Sequence, residues 1–300
     1  MKSTAIVALA VAVVLLAGCG ESRPPPARPQ DVAMQRTAAA GRLAFTMHRP
    51  SEAVAQYRLA LQRAEAGDDA AAIGDYGYDL AVAELAANEP NQALLAARKT
   101  QIELSRRGLG AFPALILVEA TALYRLGKEE EADRLAKVVE AGGDPSAAAA
   151  ASFLRGLIAD QTGNRAELAA ALAHLQHPAN HEQSADAFEL AARRELRDGD
   201  FTRAADEAAR AADLRRNDLD YRGMARALAL QGAAEADRGN ARNAADLYIR
   251  AARSAAAEGD SATARAWSKR ALELATTPEL RQLAEQTLAG LSSSPHAPSR

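Results

Sequence analysis

Three histidines stand close together, His174, His177 and His181 in HLQHPANH, with Glu182 adjacent to the last. Imidazoles so placed could bind a transition metal. His174 and His177 are three apart and can share a helix face, while His181 follows Pro178 in a segment that reads as a loop. The plainer reading is a polar helix end, where histidines suit the negative pole of the helix dipole. No further carboxylate stands at a fixed spacing, so the three remain weak metal candidates, and no cofactor is implied. Cys19 is the single cysteine and has no disulfide partner in the chain. There is no phosphate-cradling Gly-rich loop, no G-x-S-x-G elbow and no H-E-x-x-H pair. The chain reads as a non-enzyme.

The elements that must position any site are helices. Alanine, leucine, arginine and glutamate dominate the body, and alternating runs of Val, Ile and Thr are absent. The clearest stretch is Ser184 to Asp218, which reads as a helix end, a turn at Gly199-Asp200 and a second helix with Phe201, Ala204, Ala208 and Ala211 on one face. Comparable breaks fall at His48, Asn88, Gly127, Gly163, Gly199 and Gly239, in steps of 40, 39, 36, 36 and 40 residues. Such a period marks a helical-hairpin solenoid, whose hairpins bury their apolar faces only against neighbours. The register repeats too. Seven residues before the breaks stand Gly41, Ala81, Ala120, Gly156, Ala192 and Gly232. Five after them stand Ala53, Ala93, Ala132, Leu168, Ala204 and Ala244, and twelve after them Ala60, Thr100, Val139, Leu175, Ala211 and Ala251. Past Gly239 the spacing shortens to 20 residues at Gly259, and Ser261–Thr276 with Pro278–Leu288 reads as an atypical last hairpin. Its solvent face would be Arg281, Gln282, Glu285 and Gln286.

These columns resemble the tetratricopeptide repeat family, over roughly Gln35 to Gly290. The period exceeds that family's usual repeat of about 34 residues, and the aromatic expected after the turn is clear only at Phe201. The resemblance implies an all-α, right-handed solenoid of about six to seven antiparallel hairpins. It also implies a concave groove, lined by the first helix of each hairpin, that holds a peptide or a partner helix. Carried over by register, groove positions lie ten, six, three and two residues before each break. They give Arg42, Phe45, Tyr78, Leu85, Tyr124, Arg125, Phe153, Arg193 and Arg197, and also Val82, Leu117, Leu157, Glu189 and Leu196. The groove would be apolar and aromatic in its N-terminal half and charged further on. Any of these aromatics could instead pack between repeats, and Trp267 could be a core plug of the last hairpin or an exposed anchor.

The ends of the chain read differently. Lys2, the apolar run Ala5 to Leu16 and Leu16-Ala17-Gly18-Cys19 resemble the signal peptide and lipobox of bacterial lipoproteins, here over 1–18. The resemblance implies acylation of Cys19 and anchoring in a membrane, since two or three chains hold firmly where one does not. Gly20 after the cysteine points, by the sorting rule of enterobacterial lipoproteins, to an outer-membrane anchor facing the periplasm. Residues 19–34 hold the proline-rich ESRPPPARPQ, an extended tether. The repeat body spans 35–291, and 292–300 reads as a disordered polar tail.

The formal net charge is −3, from 36 basic and 39 acidic residues, which argues against a nucleic-acid partner. The reading as a whole is a lipid-anchored envelope scaffold that binds a protein or peptide of the same compartment. A metal-binding or enzymatic accessory built on His174 is one alternative, and a peptidoglycan-binding lipoprotein is another.

Overall fold

The computed structural model describes residues 31–293, and among them every regular element is a helix. They pair in chain order as hairpins. The first two are α1 (Val32–Thr46) with α2 (Pro50–Ala66), and α3 (Ala70–Ala86) with α4 (Pro90–Arg106). Next come α5 (Pro113–Arg125) with α6 (Glu129–Glu140), and α7 (Pro145–Thr162) with α8 (Arg165–His174). Then α9 (His181–Asp198) pairs with α10 (Phe201–Asn217), α11 (Tyr221–Asp237) with α12 (Ala241–Ala257), and α13 (Ser261–Leu274) with α14 (Pro278–Ser293). The seven hairpins form an all-α helical-hairpin solenoid. Helix α1 starts inside the expected tether and α14 runs into the expected tail. The signal segment, Cys19 and the proline run lie outside the described residues. No helix among the described residues is long and apolar enough to cross a membrane.

Each expected break is a left-handed helix stop. His48, Asn88, Gly127, Gly163, Gly199 and Gly239 all have φ between 56° and 84°. In each case the next residue's N–H donates to the carbonyl five residues back, as in Arg49 to Ala44 (2.9 Å), Asn164 to Ala159 (2.8 Å) and Asp200 to Glu195 (3.0 Å). That closure satisfies a carbonyl the helix would otherwise leave open. The same closure occurs between hairpins, at Asp68, Gly108, Leu219 and Gly259. The 20-residue step after Gly239 is therefore no shortening: it is the ordinary helix-to-helix step, seen also from residue 48 to 68 and from 68 to 88. Helix starts are equally well signalled. Asp69, Asp144, Asn164, Asn180, Asp200, Asp220 and Asp260 each accept a backbone N–H of the first turn.

All eighteen residues of the three small-residue columns are buried. Their size lets backbones approach. A Cβ built on Gly41 would stand 2.9 Å from the Tyr57 ring, and one on Gly156 would stand 2.4 Å from Leu190 Cδ1. Core residues run along the solenoid in linked clusters. Helices α3, α5, α7, α9 and α11 also touch each other in succession, forming an inner layer. The last hairpin exposes Arg281, Gln282, Glu285 and Gln286, the face expected of a terminal repeat.

The solenoid curls until its first two hairpins meet the sixth. Tyr221, opening α11, lies 5.1 Å from the His48 ring between α1 and α2. Arg222 Nη2 donates to Ala86 O (3.3 Å) and to Glu258 O (3.0 Å), and Arg222 Nη1 donates to Asn88 Oδ1 (3.4 Å).

Candidate binding cavity

The curl encloses a cavity of about 900 Å³. Its walls are mainly the first helices of successive hairpins, α5, α7, α9, α11 and α13, with the α3–α4 and α12–α13 turns at the rim. On α5 and α7 the wall is largely apolar: Leu117, Tyr124, Phe153, Leu154 and Leu157, with Arg125 at one end. On α9, α10 and α11 it is charged: Glu182, Asp186, Arg193, Arg215, Arg222 and Arg226.

The charged wall is a network around Glu189, which is fully buried. Arg193 lies 2.9 Å from it, Arg226 3.2 Å and Arg215 3.7 Å. Burial pushes the Glu189 carboxyl up, but Arg226, Arg193 and Arg215 outweigh it and hold the pKa at about 2. Arg193 also binds Asp160 at 2.8 Å, and Arg215 binds Asp220 at 2.9 Å and pairs closely with Asp186. Asp186 goes the other way. Burial raises its pKa to about 7 against the pull of Arg215, and the charge of Glu189 adds to the rise. The two walls meet at Phe153, whose ring lies under the guanidiniums of Arg215 (5.4 Å) and Arg226 (5.8 Å). Burial also raises the pKa of the Tyr124 phenol, so it stays a neutral hydroxyl on the wall.

Of the residues expected in the groove, Tyr124, Arg125, Phe153 and Arg193 line this cavity together with Leu117 and Leu157. The others do not. Leu85 is 7% exposed and packs in the core, because its side of α3 faces neighbouring hairpins. Tyr78 is half-buried against the same core, edge-on to Phe112 at 6.0 Å. Arg42 and Phe45 are exposed on α1, away from the cavity lining. Arg197 is exposed and binds Asp160 at 2.8 Å. Glu189 stands behind the wall as its buried counter-charge. Trp267 combines both expected roles, half-buried against the last hairpins and lining the cavity.

The register missed Asp186 and Arg226, thirteen residues before their breaks, and Glu182 and Arg222, seventeen before. Steps of three and four from the tenth residue before a break reach both places, so helical periodicity alone carries the face to the start of each helix.

The histidines do not converge. His174 ends α8, His177 follows in the connection, and His181 opens α9 instead of lying in a loop. His174 Nδ1 lies 2.8 Å from Glu140 Oε1, and His181 Nδ1 lies 3.7 Å from Asp218 Oδ1. Among the described residues no group of three or more His, Cys, Asp or Glu is placed to hold a metal ion. Ser152 Oγ lies 3.3 Å from the same Nδ1 and also donates to Glu140. A serine, a histidine and a glutamate thus meet, but both partners use one imidazole nitrogen, so the ring cannot relay a proton between them. Ser152 is also buried and closed to a substrate.

No protein-family model and no curated protein matches the sequence. Among solved structures the chain is similar to a tetratricopeptide repeat protein from Parabacteroides merdae, at 16% identity and TM-score 0.45, over 85% of this chain and 99% of that one. It is also similar to the TPR2AB domain of yeast Sti1 in a pHSP90 complex, at 16% identity and TM-score 0.35, over 87% of this chain and 98% of that one. A third is the Cut9–Hcn1 hetero-tetramer of the APC/C, at 13% identity and TM-score 0.49, over 87% of this chain and 49% of that one. The likeness concerns fold alone.

Proposed function

We propose that this chain is a non-enzymatic scaffold that binds another protein in its central cavity, and that it does so from a lipid anchor in a bacterial envelope. The observation that carries the binding reading is the cavity: five successive hairpins contribute an apolar wall opposite a wall of arginines and carboxylates. Aromatic and arginine side chains are the usual anchors of protein interfaces. An extended peptide or a partner helix would lay apolar side chains along Leu117, Phe153 and Leu157 and polar ones toward α9 and α11.

The anchor reading rests on Leu16-Ala17-Gly18-Cys19 and the proline-rich segment behind it. On this reading the tether holds the solenoid off an outer membrane, facing the periplasm, where the partner would be an envelope protein in assembly of a secretion, pilus or other envelope complex. Crosslinking in cells, capture of the full chain from membranes and mass spectrometry test the reading. One or two envelope proteins should be captured by the native chain and lost with Leu117→Glu, which puts an unpaired charge on the apolar wall. Capture that Leu117→Glu leaves unchanged refutes the cavity as the binding surface. Cys19→Ser should release the chain from membranes. A native chain that takes up no labelled fatty acid contradicts the anchor.

A further inference from the structure

Most of the arginines on the cavity wall sit beside carboxylates, and Arg125 does not. It ends α5, lines the cavity and, among the described residues, makes one hydrogen bond, Nη1 to Leu85 O at 2.6 Å, and no ion pair. A guanidinium carries five N–H donors in a planar fork, so most of its hydrogen-bonding capacity is unused. Arg222 comes to the same place from the sixth hairpin. It donates through Nη2 to Ala86 O and Glu258 O and through Nη1 to Asn88 Oδ1, which leaves Nε and one Nη1 hydrogen for a ligand, and its ion pair with Asp260 Oδ2 is long, at 3.9 Å. Guanidiniums from the third and sixth hairpins therefore converge on the last two carbonyls of α3. A helix C-terminus attracts cations, but only with a fraction of a charge, and it cannot neutralise two. Burial first, and then the charges of Arg222 and Arg226, hold the Arg125 pKa down to about 10, against a smaller opposing pull from Asp260 and Asp220.

We propose that Arg125 and Arg222 form a binding site for an oxyanion, a carboxylate or a phosphate group, at the seam where the solenoid closes. The anion would accept from both forks and relieve their repulsion. It would also tie the third hairpin to the sixth, so that occupancy holds the curl shut. Thr121 and Leu117 lie one and two turns before Arg125 on the same face of α5, so the body of the ligand would run along them. The alternative is that both arginines only cap α3. The site is independent of any protein partner, because simple anions report on it.

The test uses the full chain, titrated with inorganic phosphate and separately with acetate, each at constant ionic strength set with chloride. Calorimetry reads binding, and hydrogen exchange of residues 85–89 reads the seam. At least one anion should bind saturably at one site and slow exchange there. Phosphate alone would identify a phosphate site, and acetate alone a carboxylate site. Arg125→Gln should weaken binding at least tenfold while the ligand-free unfolding midpoint stays level or rises, since a like-charge contact is removed. Arg125→Lys keeps the charge without the fork, and should weaken binding several-fold in a chain that folds as the native one does. Absence of saturable binding by either anion, or equal binding by Arg125→Gln, would overturn the proposal.

Discussion

Gly156 on α7 and Glu189 on α9 both sit where neighbouring hairpins are pressed together, and they hold those hairpins in opposite ways. At Gly156 the contact is shape alone, with the fully buried Leu190 of the next hairpin filling the space a side chain would take. At Glu189 the contact is charge, one carboxylate shared by arginines of α9, α10 and α11. An apolar contact degrades gradually with lost or added volume. A buried ionic hub is stable only while complete, because removing one member leaves the others buried without counter-charge. The apolar contact should therefore lose stability in proportion to the volume changed, and the charged one abruptly when a single charge is removed.

The largest expected effect breaks the hub. Glu189→Ala should destabilise by about 3–5 kcal/mol in denaturant melts, since Arg193, Arg215 and Arg226 lose their shared partner. The matching change at the apolar contact between α7 and α9 is smaller. Gly156→Ala should cost about 1–3 kcal/mol by overpacking against Leu190.

A third change separates the walls by pH. The Asp186 pKa is raised in the fold to about 7 from an ordinary 3.8, so the folded state keeps a proton that the unfolded state has released. Stability from this group is complete below about pH 4 and declines as pH rises to about 7. Asp186→Asn removes that decline. Relative to the native chain, the variant should gain on the order of 2 kcal/mol between pH 4 and 7, read from paired unfolding curves. A variant whose difference from the native chain stays flat over that range contradicts a protonated Asp186. Gly156→Ala should show no such pH dependence.

The smallest effect lies in the turn that joins α10 to α11. Leu219 holds φ at 60° and is 51% exposed, so it pays backbone strain for little burial. Leu219→Gly should stabilise by about 0.5–1 kcal/mol in the same melts, and a loss of stability would mean the leucine packs more than its exposure allows.

The hairpin plan was legible because its signals are local. Six breaks read from the sequence are six left-handed stops, and the eighteen residues read by register, fourteen of them glycine or alanine, are all buried. Local closure rules fix both, and repetition multiplies them. The cavity was half legible. Tyr124, Arg125, Phe153 and Arg193 followed from the register, whereas Arg226 and Arg222 required following the same helical face one and two turns further back. Leu85 failed because one helix presents faces to two neighbours, and periodicity does not say which of them is the groove. The seam was not legible at all. Contacts such as Arg222 with Ala86 and His48 with Tyr221 depend on small rotations summed over several hairpins, and no single turn encodes that sum.

The most direct test of the scaffold reading places a photo-crosslinking amino acid at position 117, on the cavity wall, and at position 137, where Lys137 on α6 is exposed outside the cavity lining. Both full-length chains are irradiated in cells and the adducts identified by mass spectrometry. The account predicts one or two discrete envelope-protein adducts from position 117 and none of them from position 137. The same adducts from both positions, or none from position 117, would contradict a binding cavity.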